Sequence, residues 1–128
     1  MKLALRVAIG LLGLLFIGIG FGFLTDPVGM GTDFGVAADS NRGLSTIRSD
    51  FTAFFWVSGG AFVIGAWRQN ATLLLVTAAL MGIVFCSRGL SLALDGTYEG
   101  WYEPMAVEAL AVILALIGAK ILSPEEKA

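Results

Sequence analysis

Residues 51–67 read FTAFFWVSGGAFVIGAW, seventeen consecutive residues without a formal charge. A helix needs about 20 mostly apolar residues to cross the hydrocarbon core of a bilayer, and three further stretches have that character. One runs from about Leu3 to Leu24 and carries no charge after Arg6. A second runs from Ala71 to Leu94, broken only by Arg88. The third runs from Pro104 to about Leu122, with Glu108 near its start and Lys120 near its end. The expected fold is therefore all-α: an integral membrane four-helix bundle over 3–24, 51–67, 71–94 and 104–122, forming one domain.

Composition agrees. Of 128 residues, 57% are hydrophobic and 14% charged, where a soluble domain holds roughly 25% charged residues. So much apolar surface cannot be hidden in one small core. The net charge of −2 offers no footprint for nucleic acid. The absence of histidine removes imidazole from any mechanism: no triad, no His-bound metal or haem, no imidazole proton relay. The single cysteine, Cys86, excludes an intrachain disulfide and a CxxC site, and reads as a small packing residue. No metal or cofactor is expected.

Segment ends follow helix rules. Pro104 suits a first turn, and Asp50 and Asn70 are candidate N-caps of the second and third helices. Ser123-Pro124 is a stop for the fourth. The three-residue turn Arg68-Gln69-Asn70 makes the second and third helices an antiparallel hairpin. Lys2 and Arg6 precede the first apolar stretch as in a signal peptide, but that stretch is long and no small-x-small site closes it, so it is expected to stay as a helix. Basic residues favour the cytoplasmic side. With the N-terminus inside, that side holds Lys2, Arg6, Arg68, Lys120 and Lys127, against Arg42, Arg48 and Arg88 outside. The orientation is thus N-in, C-in, in a bacterial cytoplasmic membrane. Residues 25–49 then form a long irregular outer loop; Phe34, Val36 and Leu44 could fold it over the bundle mouth.

Small residues let helices approach closely in lipid. Gly18 and Gly22 form a GxxxG pair, and Gly59, Gly60 and Gly82 sit on the second and third helices. Packing within the bundle is one use; a homo-oligomer face or contact with a larger membrane complex is another. Trp67 at the inner level and Tyr98, Trp101 and Tyr102 at the outer level read as an aromatic belt.

Charges at membrane depth are costly and face protein interiors. Arg88 lies six residues before its helix end, roughly 9 Å deep, and Glu108 one turn in, roughly 6 Å deep. Both fall in the outer half, at the level of Arg48, Asp50 and Asp95. Five charges from three helices are therefore expected to converge. They form either a neutral clamp or a polar site in an outward-facing pocket walled by Phe51, Phe54 and Phe55. A buried ion pair is weak evidence for stability, which lends weight to the second reading.

The pieces Arg48-Ser-Asp-Phe51, Gly65-Ala-Trp-Arg68, Leu80-Met-Gly82, Arg88-x-x-Ser-Leu92, Asp95-Gly96 and Pro104 with Glu108 resemble an uncharacterised family of small four-helix bacterial membrane proteins, a domain of unknown function. The resemblance spans nearly the whole chain and implies the same fold, but no activity. The architecture is similar in type to the DoxX-like and sterol-isomerase-like four-helix proteins, which is an analogy of fold alone. The expected function is non-catalytic: an accessory subunit, or a binder of a lipid-like or quinone-like small molecule, with membrane lipids as surroundings. The alternative is a membrane enzyme on a lipophilic substrate, with Glu108 or Asp50 as acid or base tuned by Arg48 and Arg88. A transporter would need a gated path, which four helices without a repeat leave little room for.

Overall fold

The structure, a computed structural model, describes residues 1–122. Among them are five helices and no strand: α1 (Lys2–Thr25), α2 (Pro27–Asp33), α3 (Asn41–Trp67), α4 (Ala71–Asp95) and α5 (Tyr102–Ile121). All but α2 are long and apolar enough to cross a membrane. The expected stop at Ser123-Pro124 and the expected inner charge Lys127 lie outside the described residues.

Three of the four long helices match the sequence reading to within two residues at each end; the start of α3 does not. It begins at Asn41, ten residues before Phe51. Ser40 is its N-cap, with Oγ accepting a hydrogen bond from the Gly43 N–H at 3.1 Å. Asp50, the expected cap, is instead mid-helix. Hydropathy stops at Arg48-Ser49-Asp50, but the helical period does not: Leu44, Ile47 and Phe51 continue one face toward α1 and α2, and Ile47 is buried. The expected long loop shrinks further because Asp26 and Pro27 start α2, the Asp26 carboxylate accepting from Gly29 N–H at 3.0 Å. Only Asp26 and residues 34–40 of it remain outside helices. The expected cap of α4 is present, Asn70 Oδ1 accepting from Leu73 N–H at 3.1 Å.

The four long helices form a ring in which α1 packs on α3, α3 on α4, α4 on α5 and α5 on α1. The α1–α3 and α4–α5 interfaces are the most extensive and the α1–α5 seam the slimmest. The α1 face that meets α3 is a heptad-like stripe of Ile9, Gly13, Phe16, Gly20 and Phe23, all buried. Gly13 and Gly59 bring the two backbones together: a Cβ on Gly59 would stand 2.6 Å from the Gly13 carbonyl oxygen. Gly20 makes room for the Trp56 indole, whose Nε1 donates to the Ile17 carbonyl at 3.2 Å. Thr52 Oγ1 donates to the Gly20 carbonyl at 3.3 Å.

An arginine closes each end of this pair. Arg6 donates to the Ala66 and Trp67 carbonyls at the C-terminus of α3 and lies over the Trp67 ring. Arg48 donates to the Leu24 carbonyl at the C-terminus of α1, 3.1 Å away. Both place positive charge where last-turn carbonyls lack intrahelical partners.

The glycine expectations hold only in part. Gly59 packs as expected, and Gly22 faces Met30 of α2. A methyl group added at Gly18, Gly60 or Gly82 would meet nothing within 4 Å, so none of the three packs against a described helix. The reason is phase. Gly18 lies off the stripe that starts at Ile9, whereas Gly13 and Gly20 lie on it. Cys86, expected as a packing residue, is exposed.

Candidate functional site: a cavity between the helix pairs

At the end of the bundle that holds the Arg68–Asn70 turn, the two helix pairs interlock. Ile9, Leu74 and Leu122 are fully buried there, and Ile9 and Leu74 meet over Gly118. Gly65 packs against Leu74 at the same level. Toward the other end small contacts give way to aromatic ones, and a cavity of about 500 Å³ separates the pairs.

The α1–α3 pair supplies most of its apolar wall. Phe16 and Phe55 meet edge to face at 5.6 Å, Phe23 stacks on Phe51 at 4.6 Å, and Phe54 abuts Phe55 at 5.1 Å. Phe34, just beyond α2, packs on Phe23 at 5.1 Å and lines the cavity from the loop side. Edge-to-face and offset pairs of this kind hold rings at defined angles, which gives the wall a fixed shape. Leu15 and Ile19 of α1, Met81 and Val84 of α4, and Pro104 and Val107 of α5 complete the apolar lining.

Three charged residues face this space: Asp50, Arg88 and Glu108. Arg88 of α4 and Glu108 of α5 form a fork. Nη2 lies 2.8 Å and Nε 3.0 Å from Oε1, and Nε lies 3.3 Å from Oε2. Glu108 is 7% exposed, and the Arg88 side chain 31%. This is the only ion pair among the described residues. The helix period explains it: on antiparallel neighbours, Arg88 near the end of α4 comes level with Glu108 in the second turn of α5. The Tyr98 hydroxyl, from the α4–α5 connection, accepts from Arg88 Nη1 at 3.5 Å. Every buried side-chain polar atom among the described residues has a partner.

The expected five-charge convergence is thus corrected to three. Arg48 is drawn away because the free carbonyl of Leu24 lies within its reach at the end of α1. Asp95 is exposed and accepts from Ser91 Oγ on its own helix at 2.8 Å. Asp50 reaches the cavity, but is exposed and forms no ion pair or hydrogen bond with a described residue. Phe51, Phe54 and Phe55 all line the cavity. Sequence reasoning missed Leu15, Phe16 and Ile19. The Ile9–Phe16–Phe23 heptad spacing was the available signal for Phe16; nothing marked Val107 or Val84.

No cluster of three His, Cys, Asp or Glu side chains among the described residues is placed to hold a metal ion. What the arrangement can do is accept an elongated molecule. Its apolar part would lie on the phenylalanine wall, and its polar end would meet guanidinium N–H groups beyond those Glu108 occupies, with an unengaged carboxylate across from them. The chain matches no family model, no curated protein and no solved structure.

Proposed function

We propose that this protein is a multi-pass bacterial cytoplasmic-membrane protein that binds a lipid-like amphipathic molecule without transforming it. The reading rests on one observation above others: a 500 Å³ cavity between the helix pairs that is apolar except for Asp50, Arg88 and Glu108. Ligand sites are mostly apolar concavities of roughly 300–1,000 Å³ with a few converging polar groups. In the proposed orientation the N-terminus of α1 and the C-terminal end of α5 face the cytoplasm, following the Lys/Arg asymmetry. The cavity then lies in the outer half of the bilayer, with Phe34, just beyond α2, at its outer rim.

The binding reading is favoured over the enzymatic one by the state of Glu108. Both its oxygens already accept from Arg88, a poor condition for a general base. The resemblance to the four-helix bacterial family stands within this proposal and brings no activity with it.

Lipid mass spectrometry on protein purified in mild detergent tests the proposal. The wild type is expected to carry a lipid enriched over the bulk membrane. The double variant Arg88→Leu/Glu108→Leu, which removes both charges of the pair, should fold and lose it. A double variant that folds and carries the same lipids as the wild type would reduce the ion pair to a clamp and contradict the proposal.

A further inference from the structure

Resting on the reading of the cavity as a binding site, we infer that its occupant is a single-chain lipid with an uncharged, hydroxyl-bearing head. Its tail leaves the cavity into the bilayer through the seam between α1 and α5. The head follows from the charges. The lining holds one cation against two carboxylates, so an anionic head would enter a net negative site. It would also have to compete for Arg88 with Glu108, already bonded at 2.8 Å. A cationic head would find only Asp50 unengaged. The Arg88 guanidinium, which lines the same cavity, would repel the newcomer.

A hydroxyl or ester head satisfies both sides. Its oxygens accept from the Arg88 Nη groups, which hold only a 3.5 Å contact to Tyr98 beyond the Glu108 fork. Its O–H donates to Asp50. A charged head seated here without its own partner would give up hydration that the lining does not replace.

The exit follows from exposure along the lining. Leu15 of α1 and Val107 of α5 line the cavity, yet are 54% and 40% exposed. A residue that borders both the cavity and the outside marks an opening: Phe34, 43% exposed, and Asp50 mark the outer mouth, and Leu15 and Val107 mark a lateral one between the two helices of the slimmest seam in the ring. That seam is shut at the turn end by Ile9 against Gly118. Leu15 is in the middle of α1, so the opening reaches membrane mid-depth, where an acyl chain belongs. A polar head and the upper part of one chain fill a cavity of about 500 Å³, which leaves no room beside them for the start of a second.

Three probes sharing an oleyl or oleoyl chain test the head: monoolein, oleyl sulfate and oleyltrimethylammonium, whose charges do not titrate. Each is added to the detergent-purified protein at equal concentration, and retention is read by native mass spectrometry. Monoolein should be retained at least about tenfold better than either ion, since even 1.4 kcal/mol of unrecovered hydration corresponds to that factor. For the exit, Leu15→Trp/Val107→Trp fills the seam at two exposed positions. It should lose monoolein but keep the short-chain monooctanoin, while Ile83→Trp on the outside of α4 keeps both. Equal or better retention of either ion overturns the head assignment but leaves the cavity a binding site. Monoolein retained by the seam variant overturns the exit. If no probe is retained, the binding reading itself falls.

Discussion

Replacing Arg88 by leucine leaves the Glu108 carboxylate, 7% exposed, without the fork that holds it. Removing one partner of a buried pair typically costs about 3–5 kcal/mol, whereas replacing both by apolar groups of similar volume is near neutral. Arg88→Leu should therefore lower the unfolding midpoint in detergent clearly, and adding Glu108→Leu should restore most of the loss. If the double variant is as unstable as the single one, the two residues do not act as a pair. Arg48→Leu should not show this coupling with Glu108→Leu, because Arg48 is engaged with the Leu24 carbonyl at another helix end. That the charges at 88 and 108 would meet was readable from their equal depth on neighbouring antiparallel helices. That Arg48 would turn to a backbone carbonyl was not. A free carbonyl at a helix end competes for any guanidinium nearby, and its position depends on where α1 stops.

At the scale of helices, the contact between α1 and α3 depends on which glycines face it. Gly59→Ala would put a methyl 2.6 Å from the Gly13 carbonyl oxygen and 2.9 Å from an Ile17 side-chain carbon. The helices must separate to admit it, and overpacking of this kind costs about 1–3 kcal/mol. Gly18→Ala meets open space and gains the helix preference of alanine over glycine, about 0.5–1 kcal/mol, so it should be no less stable than the wild type. Unfolding midpoints of the two variants measure the difference; equal losses would contradict this packing. Of the GxxxG pair, Gly22 packs, but on Met30 of α2, and Gly18 does not pack at all, because only the phase relative to Ile9, Phe16 and Phe23 says which glycine faces α3. The start of α3 was misplaced for a related reason. Arg48-Ser49-Asp50 ends the apolar run but not the helix, and the Ser40 cap with Leu44 and Ile47 beyond it was the signal that outlasts hydropathy. Pro27 after Asp26 marked α2 in the same way.

For the molecule as a whole, the number and order of long helices were legible because four apolar runs of the right length are separated by polar stretches. The α3 wall of the cavity, Phe51, Phe54 and Phe55, was legible too; its extent was not, since it arises from the two helix pairs locking at Ile9, Leu74 and Gly118 and standing apart beyond them, which no local pattern encodes. Orientation is a proposal from Lys/Arg asymmetry, and Cys86 is replaceable because it is exposed and outside the packed core. In a Cys86→Ser background in intact cells, an impermeant maleimide should label Thr97→Cys from outside and leave Lys2→Cys unlabelled; the reverse pattern would invert the protein. The binding claim is tested most directly by photocrosslinking. A monoacylglycerol with a photoactivatable group in its chain is irradiated with the wild-type protein in vesicles, and the modified residues are mapped by mass spectrometry. The predicted result is modification concentrated at the cavity lining, at Leu15, Phe54, Val84 and Val107. Modification spread over the outward residues Leu75, Ile83 and Leu90, with the lining unmarked, would contradict the account.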